Sequence, residues 1–236
     1  MIVVTVPAYN ESRNLKKCVE LLLQETLPLG EEFCIVIAED GSTDGTDIIA
    51  QSLERMYPTV IHLCAARKLG RGLALKRAWN KVEGDIYVYI DCDLATNMKY
   101  YPRLINLIRE GNDLATGSRY IEGAKVHRPL LRELTSRLYN TLIRMMFKDH
   151  VFDHQIGFKA FSNRLIRDTL NKCKSAGWFW DTEIIVRSIH SNYKCVEFPV
   201  EWEEKKREKT SMKRLITDVM IHGVGLSRLK SYLLSK

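Results

Sequence analysis

The chain has 236 residues, 45% hydrophobic and 28% charged, which suits one globular domain with or without an appendage and excludes a disordered or fibrous chain. Its formal charge is +7, and the excess lies in two stretches: residues 120–150 hold six Lys/Arg against three Asp/Glu, and residues 201–236 hold nine against five. Charge concentrated in this way points to a surface that faces an anion: a phosphate substrate, a membrane or a nucleic acid.

The first half alternates strands and helices. Residues 2–6 read as a short buried strand, and 12–27 carry apolar positions at helical spacing (Leu15, Val19, Leu22, Leu23). A strand at 33–38 precedes a helix at 46–56. A strand at 59–64 precedes a helix at 72–82. A strand at 86–90 precedes a helix at 100–109 and a short strand at 113–117. Continuous apolar strands separated by amphipathic helices predict a Rossmann-like α/β fold, with a mostly parallel sheet covered by helices on both faces. Ligands are then expected at the strand C-terminal ends.

After residue 118 the pattern changes. A polar loop (118–128) leads to a helix of about 18 residues starting near Pro129. Its apolar stripe is Leu130, Leu131, Leu134, Leu138, Leu142, Met145 and Met146. Helical stretches at 163–171 and 181–191 and a strand at 193–199 follow. The divisions are 1–118, 119–211 and a basic amphipathic segment, 212–236, weakened as a helix by Gly223 and Gly225. No apolar run approaches the ~18 to 20 residues that cross a bilayer. Met1 leads straight into Ile-Val-Val-Thr-Val, so no secretory signal is expected. The six cysteines show no CxxC. They are expected as buried free thiols, without a structural zinc site.

Motifs gather at the predicted strand ends. Strand one ends in Pro7-Ala8-Tyr9-Asn10-Glu11, where proline is expected to stop the ladder. Strand two ends in Glu39-Asp40-Gly41-Ser42-Thr43-Asp44-Gly45-Thr46. Its glycines permit a tight turn, and Asp44 or Thr46 can cap the next helix. Strand four ends in Asp91-Cys92-Asp93. In an extended stretch these two carboxylates point the same way and make a half-site for Mg2+ or Mn2+, completed by water and phosphate. Lys68-Leu69-Gly70-Arg71-Gly72-Leu73-Ala74 opens a helix whose amides suit a phosphorylated ligand, although neither a P-loop nor a dinucleotide fingerprint is present.

The order PAYNE, EDGSTDGT, KLGRGLA, DCD, GSR (117–119) and DHQIGFK (153–159) resembles the family 2 glycosyltransferases of the GT-A fold, and among them the dolichyl-phosphate mannose and glucose synthases. The resemblance implies a catalytic domain over 1–211, with a nucleotide-sugar half (1–118) and an acceptor half (119–211). It implies that Pro7, Tyr9, Glu11, Asp40, Lys68 and Asp91 bind the nucleotide, and that Asp91 and Asp93 hold the metal at the donor diphosphate. Arg119, Arg132 and Ser136 would receive a lipid phosphate, and Asp93, Arg119, Arg132 and Lys205 would carry catalysis. Three departures stand out. Glu39-Asp40 replaces a common Asp-Asp. Ala95 replaces a glutamine of the mannose synthases. The late diphosphate-bridging arginine falls on Lys205 or Arg207.

The residues bear on the acceptor independently. Arg132, Ser136 and Asn140 are spaced by four and share a polar stripe beside the leucines of the 129–147 helix. A phosphate held on that stripe would leave an isoprenoid tail along the leucine face. A phosphate acceptor is already anionic and needs no general base. A hydroxyl acceptor on a glycan or protein would need one, from Asp153, Asp181 or Glu183. The expected reaction is inverting hexose transfer from UDP-glucose or GDP-mannose to a polyprenyl phosphate. Its expected place is the cytoplasmic face of a membrane, bound peripherally, with a separate membrane subunit as a candidate partner and no nucleic acid. A non-catalytic nucleotide- or nucleic-acid-binding module is the remote alternative.

Overall fold

The computed structural model describes residues 1–205 and 223–233. In chain order the strands are β1 (Ile2–Ala8), β2 (Phe33–Glu39), β3 (Val60–Leu63), β4 (Ile86–Ile90), β5 (Leu114–Ser118), β6 (Lys125–His127), β7 (Phe158–Ser162), β8 (Cys195–Pro199) and β9 (Glu201–Glu203). The helices are α1 (Leu15–Thr26), α2 (Thr46–Met56), α3 (Arg71–Lys81), α4 (Tyr101–Arg109), α5 (Leu130–Phe147), α6 (Asn163–Thr169) and α7 (Phe179–His190), with α8 at 223–233.

Seven strands form the main sheet in the order β3-β2-β1-β4-β7-β5-β8. The first four are parallel, as the alternation predicts. Side chains alternate across it. Ile2, Val4 and Val6 of β1 and Ile35 and Ile37 of β2 enter a core with α1, α2 and α4. Val3 of β1 and Val36 of β2 enter the core on the opposite face with α3, α6 and α7. Both faces are thus dry, which is why these strands read as unbroken apolar runs.

Three strands depart from the sequence reading. β7 is antiparallel and lies between β4 and β5. Its sequence, Phe-Lys-Ala-Phe-Ser, holds a lysine that is fully buried, and that charge breaks the expected apolar run. β6, inside the segment that reads as loop, and β9, in a stretch given no element, pair with each other in a small second sheet. A further correction concerns β1, which runs through Pro7 to Ala8. Pro7 pairs with Ala38 of β2, while pairing with β4 has already ended at Thr5. At Pro7 the strand is one-sided, and an edge tolerates a missing N–H.

Helix α8 packs back onto the domain, burying Leu226 and Leu229 against Ile143, Phe147, Phe179 and Val186. Gly225 allows this approach, because a Cβ there would meet the Phe179 ring at 2.6 Å. This part of the basic C-terminal segment therefore packs against protein rather than lying free along a membrane. The remainder, residues 206–222 and 234–236, falls outside the described residues, and Arg207 with it.

Candidate active site

Asp91 and Asp93 leave β4 in a turn, not in the extended stretch the sequence suggests. The Leu94 N–H donates to the Asp91 carbonyl at 3.1 Å, and Leu94 takes a left-handed φ of 52°. The Asp93 carboxylate accepts the Ala95 N–H at 3.1 Å, so the alanine at this position contributes its backbone. Both aspartates are partly exposed at the C-terminal end of the sheet. β7 brings Gly157 against them: the Asp91 N–H donates to the Gly157 carbonyl at 2.9 Å, and a Cβ on Gly157 would collide with the Asp91 carboxylate. The glycine of DHQIGFK is thereby explained by close approach.

Beneath this turn lies a chain of alternating charge. Arg71 donates to Asp91 Oδ1 at 2.7 Å and to Asp181 Oδ2 at 3.2 Å. Lys159 donates to Asp181 Oδ1 at 3.0 Å, and also to the Ile156 carbonyl. Tyr89 donates to Asp91 Oδ1 at 3.1 Å. Trp178 stacks on the Arg71 guanidinium, 3.6 Å from ring centroid to Cζ. Burial opposes the charge on Arg71, but Asp91 and then Tyr89 and Asp181 outweigh it and raise its pKa.

The expected nucleotide residues line the adjoining rim. Tyr9 lies under the Lys68 ammonium at 3.8 Å. The Glu11 N–H donates to Thr46 Oγ1 at 2.9 Å, and its carboxylate accepts from Asn14. Asp40 is buried, and its two oxygens accept the Leu69 and Gly70 N–H groups at 3.0 and 2.8 Å. It anchors the loop that opens α3, a task sequence reasoning did not assign. Asp44 accepts from the Thr46 N–H and hydroxyl in the turn before α2, but the N-cap itself is Gly45, not Asp44 or Thr46 as expected. Burial pushes its pKa up, but hydrogen bonds from Thr46 and Ser12 prevail and hold it at about 2.

A cluster of arginines faces the carboxylate turn across β9. The Asn97 N–H bonds to the Glu201 carbonyl and the Glu203 N–H to the Ala95 carbonyl, while the other edge of β9 pairs with β6. β9 thus stitches the segment after Asp93 to the segment before α5. Trp202 of β9 lies 5.1 Å from Arg119 and 5.5 Å from Arg128. Arg119 is buried and clamped on Asp153, Nε to Oδ2 at 2.7 Å and Nη2 to Oδ1 at 2.8 Å. Burial would raise the Asp153 pKa, but Arg119 lowers it by more. Arg128, which the sequence reading passed over, donates to Ser136 Oγ at 2.9 Å. Its own pKa is lowered, first by burial and then by the like charge of Arg119, with Arg132 adding to it. Arg132 pairs with Glu204. Ser136 and Arg132 are therefore brought together, as the four-residue spacing implies.

Two expectations fare differently. Asn140 is buried and does not join the polar stripe; its amide donates to the Ser136 carbonyl at 2.9 Å and accepts from the His154 N–H at 3.0 Å. Lys205 is exposed and pairs with Glu203 at 2.6 Å. The three carboxylates considered as general bases are all committed. Asp153 holds Arg119, Asp181 holds Lys159 and Arg71, and Glu183 accepts from Arg187 at 2.8 Å.

The leucine face of α5 is exposed rather than packed. Leu130 is 84% accessible, Leu138 70% and Met145 77%, and Leu131, Leu134 and Leu142 continue the stripe. No described helix is long and apolar enough to cross a membrane.

The seven-stranded, mostly parallel sheet flanked by helices is a GT-A fold. The chain belongs to glycosyltransferase family 2, whose family model, Glycosyl transferase family 2, matches residues 3–173. It is 37% identical to Glycosyltransferase AglD of Haloferax volcanii over 97% of its own length, and spans 36% of that protein. It is 28% identical to a dolichyl-phosphate beta-glucosyltransferase of Trichomonas vaginalis, covering 95% of this chain and 75% of the relative. It is also 28% identical to a dolichol-phosphate mannosyltransferase of Pyrococcus furiosus, covering 89% and 58%. The fold matches glucosyl-3-phosphoglycerate synthase from Mycobacterium tuberculosis in complex with UDP, with a TM-score of 0.71 and 20% identity over 98% of this chain and 80% of that one. A crystal structure of that enzyme with Mn2+, UDP and glucosyl-3-phosphoglycerate matches with a TM-score of 0.70 and 18% identity over the same shares.

Proposed function

We propose that the chain transfers a hexose from a nucleotide sugar to a polyprenyl phosphate, with inversion, at a membrane surface. The observation that carries this reading is the gathering of Arg119, Arg128 and Arg132 about Trp202 and Glu204 of the β9 segment, next to an exposed leucine face. Glu204 reaches both Arg128 and Arg132, and Asp153 holds Arg119, so carboxylates offset only part of the cluster's charge and a bound phosphate would offset the rest. Two named relatives act on dolichyl phosphate, which agrees with it.

The donor set of the turn fits a hard divalent ion, since Asp91 and Asp93 offer partly exposed carboxylates and Gly157 leaves the Asp91 group uncrowded. A bound Mg2+ or Mn2+ would stabilise the charge of the leaving diphosphate as a Lewis acid. Everything else falls to this chain's side chains. Tyr9, Lys68 and the loop pinned by Asp40 form the nucleotide rim. Arg71 holds the Asp91 carboxylate in place. The arginine cluster offsets the repulsion between two anionic reactants, a task of positioning and neutralisation. Asp153, Asp181 and Glu183 sit in ion pairs, which disfavours them as general bases and so disfavours a hydroxyl acceptor.

The test supplies UDP-glucose or GDP-mannose labelled in the sugar, a polyprenyl phosphate and a divalent ion. Label is expected in an acid-labile, organic-extractable product. Label in water-soluble glycan instead would overturn the acceptor. In the same assay Arg132→Ala should raise the KM for lipid phosphate or lower kcat by about tenfold or more, the loss of one charge-assisted contact. Donor affinity should hold. Equal loss of donor binding would remove Arg132 from the acceptor site.

The exposed stripe of α5 is read as the part that meets the lipid surface. Replacing Leu134 and Leu138 together by glutamate should release the protein from anionic liposomes in co-sedimentation and leave nucleotide binding intact. Unchanged co-sedimentation would exclude α5 from membrane contact.

A further inference from the structure

On the far side of the nucleotide rim, β2 and β3 bring three metal-ligating side chains together. His62 and Cys64 are two residues apart along β3 and its exit, so they project to one side. β2 pairs with β3 in the register Ile37↔His62 and Ala38↔Leu63, which sets Glu39 beside Cys64. One ligand atom from each of Glu39, His62 and Cys64 lies within 4.8 Å of the other two, and among the described residues this is the only such trio.

The local hydrogen bonds leave this group incomplete. Cys64 Sγ donates to Glu39 Oε2 at 3.2 Å, and the Ser42 N–H donates to Glu39 Oε1 at 2.5 Å. His62 Nε2 is buried and has no hydrogen-bond partner. Buried polar atoms rarely lack one, and an exception calls for a reason such as an ion. Cys64 is also the one exposed cysteine of the six, against the expectation of buried thiols.

We propose that Glu39, His62 and Cys64 form a second metal site, separate from the Asp91–Asp93 turn, for a borderline-soft divalent transition metal, with Zn2+ the best fit. A mixed oxygen, nitrogen and sulfur donor set selects Zn2+ or Co2+ over Mg2+ and Mn2+. Three protein ligands leave the fourth position of a tetrahedral ion to water. On loading, the Cys64 S–H bond breaks, a sulfur–metal bond forms and one proton passes to solvent. The sulfur–carboxylate hydrogen bond is exchanged for two bonds to the ion. Burial, then the hydrogen bond to Glu39, keeps the thiol protonated in the metal-free state, so the metal must displace that proton. Asp47 adds negative charge near the thiol, and Arg77 adds positive charge. Glu39 directly precedes Asp40, the anchor of the loop before α3, so a metal here would brace the rim on which the nucleotide is proposed to lie.

The experiment titrates the full chain with Co2+, then Zn2+, in buffer free of chelator and nucleotide. One equivalent of Co2+ should produce a thiolate-to-cobalt charge-transfer band in the near ultraviolet, and Zn2+ should bleach it. Cys64→Ser should abolish the band, and both Cys64→Ser and His62→Ala should weaken Zn2+ binding at least tenfold. Asp93→Asn should leave the band in place. No band in the unaltered protein, a band that survives Cys64→Ser, or Zn2+ affinity unchanged in His62→Ala would each overturn the assignment. A band lost in Asp93→Asn would place the metal at the other site and overturn it as well. Circular dichroism of each variant confirms that the comparison is between folded proteins.

Discussion

Asp93→Ala should reduce turnover by about 10³-fold or more. The loss follows from the chemistry of the leaving group. Lewis-acid stabilisation of a departing diphosphate is worth several kcal/mol, and each ~1.4 kcal/mol is a factor of ten in rate. Asp93 also has a structural duty, since its carboxylate accepts the Ala95 N–H and shapes the turn. Alanine removes both functions. Asparagine separates them, because its amide oxygen still accepts that N–H while its charge is gone. If the cation is held here, Asp93→Asn should lose nearly as much turnover as Asp93→Ala, and calorimetry should show nucleotide binding that no longer responds to Mn2+. Full turnover in the asparagine variant would remove Asp93 from the metal site and leave it a turn residue.

The second large effect is on stability. Lys159 and Asp181 are both fully inaccessible and bonded to each other. Breaking such a pair from one side strands a buried charge, at a cost of about 3–5 kcal/mol. Lys159→Met keeps the apolar stem and removes only the ammonium. The urea midpoint should fall accordingly, with its slope unchanged. Asp181 would then rely on Arg71 alone, and Arg71 also serves Asp91. Activity should therefore fall along with stability. Combining Lys159→Met with Asp181→Asn should cost less than the sum of the two, because neither charge is left unpaired. A loss under about 1 kcal/mol for Lys159→Met would show that the site relaxes or admits water, and would dissociate this pair from the carboxylate turn.

Much of the site was legible because the chemistry lies in contiguous strings. Pro7 to Glu11, Glu39 to Thr46, Lys68 to Ala74 and Asp91 to Asp93 each follow an element whose apolar pattern is clear, and the sheet puts their ends on one edge. What escaped were residues whose meaning depends on distant partners. Arg71 stood in a quoted motif without a role until Asp181, 110 residues away, was placed beside it. Arg128 looked like loop charge until Ser136 and Trp202 enclosed it. Arg119 lies beside Trp202 of β9, and Asp153, 34 residues away, takes up much of its hydrogen-bonding capacity. Asn140 shared the right helical spacing with Ser136 and turned inward to serve His154. The trio of Glu39, His62 and Cys64 spans two strands and matches no short cysteine pattern.

The sequence by itself determined the four parallel strands, the helices between them and the placing of the carboxylate pair at a strand end. Those features rest on local periodicity and on turn chemistry, which neighbouring residues settle among themselves. Tertiary structure alone decided that β7 enters antiparallel beside β4, that β9 joins the carboxylate turn to the arginines, and that the leucines of α5 face outward. An amphipathic stripe has the same spacing whether it meets a core or a lipid surface. A lysine in a strand looks exposed until its counter-ion arrives from another part of the chain. Both outcomes depend on pairings across long sequence separations, and no local pattern encodes which of them will form.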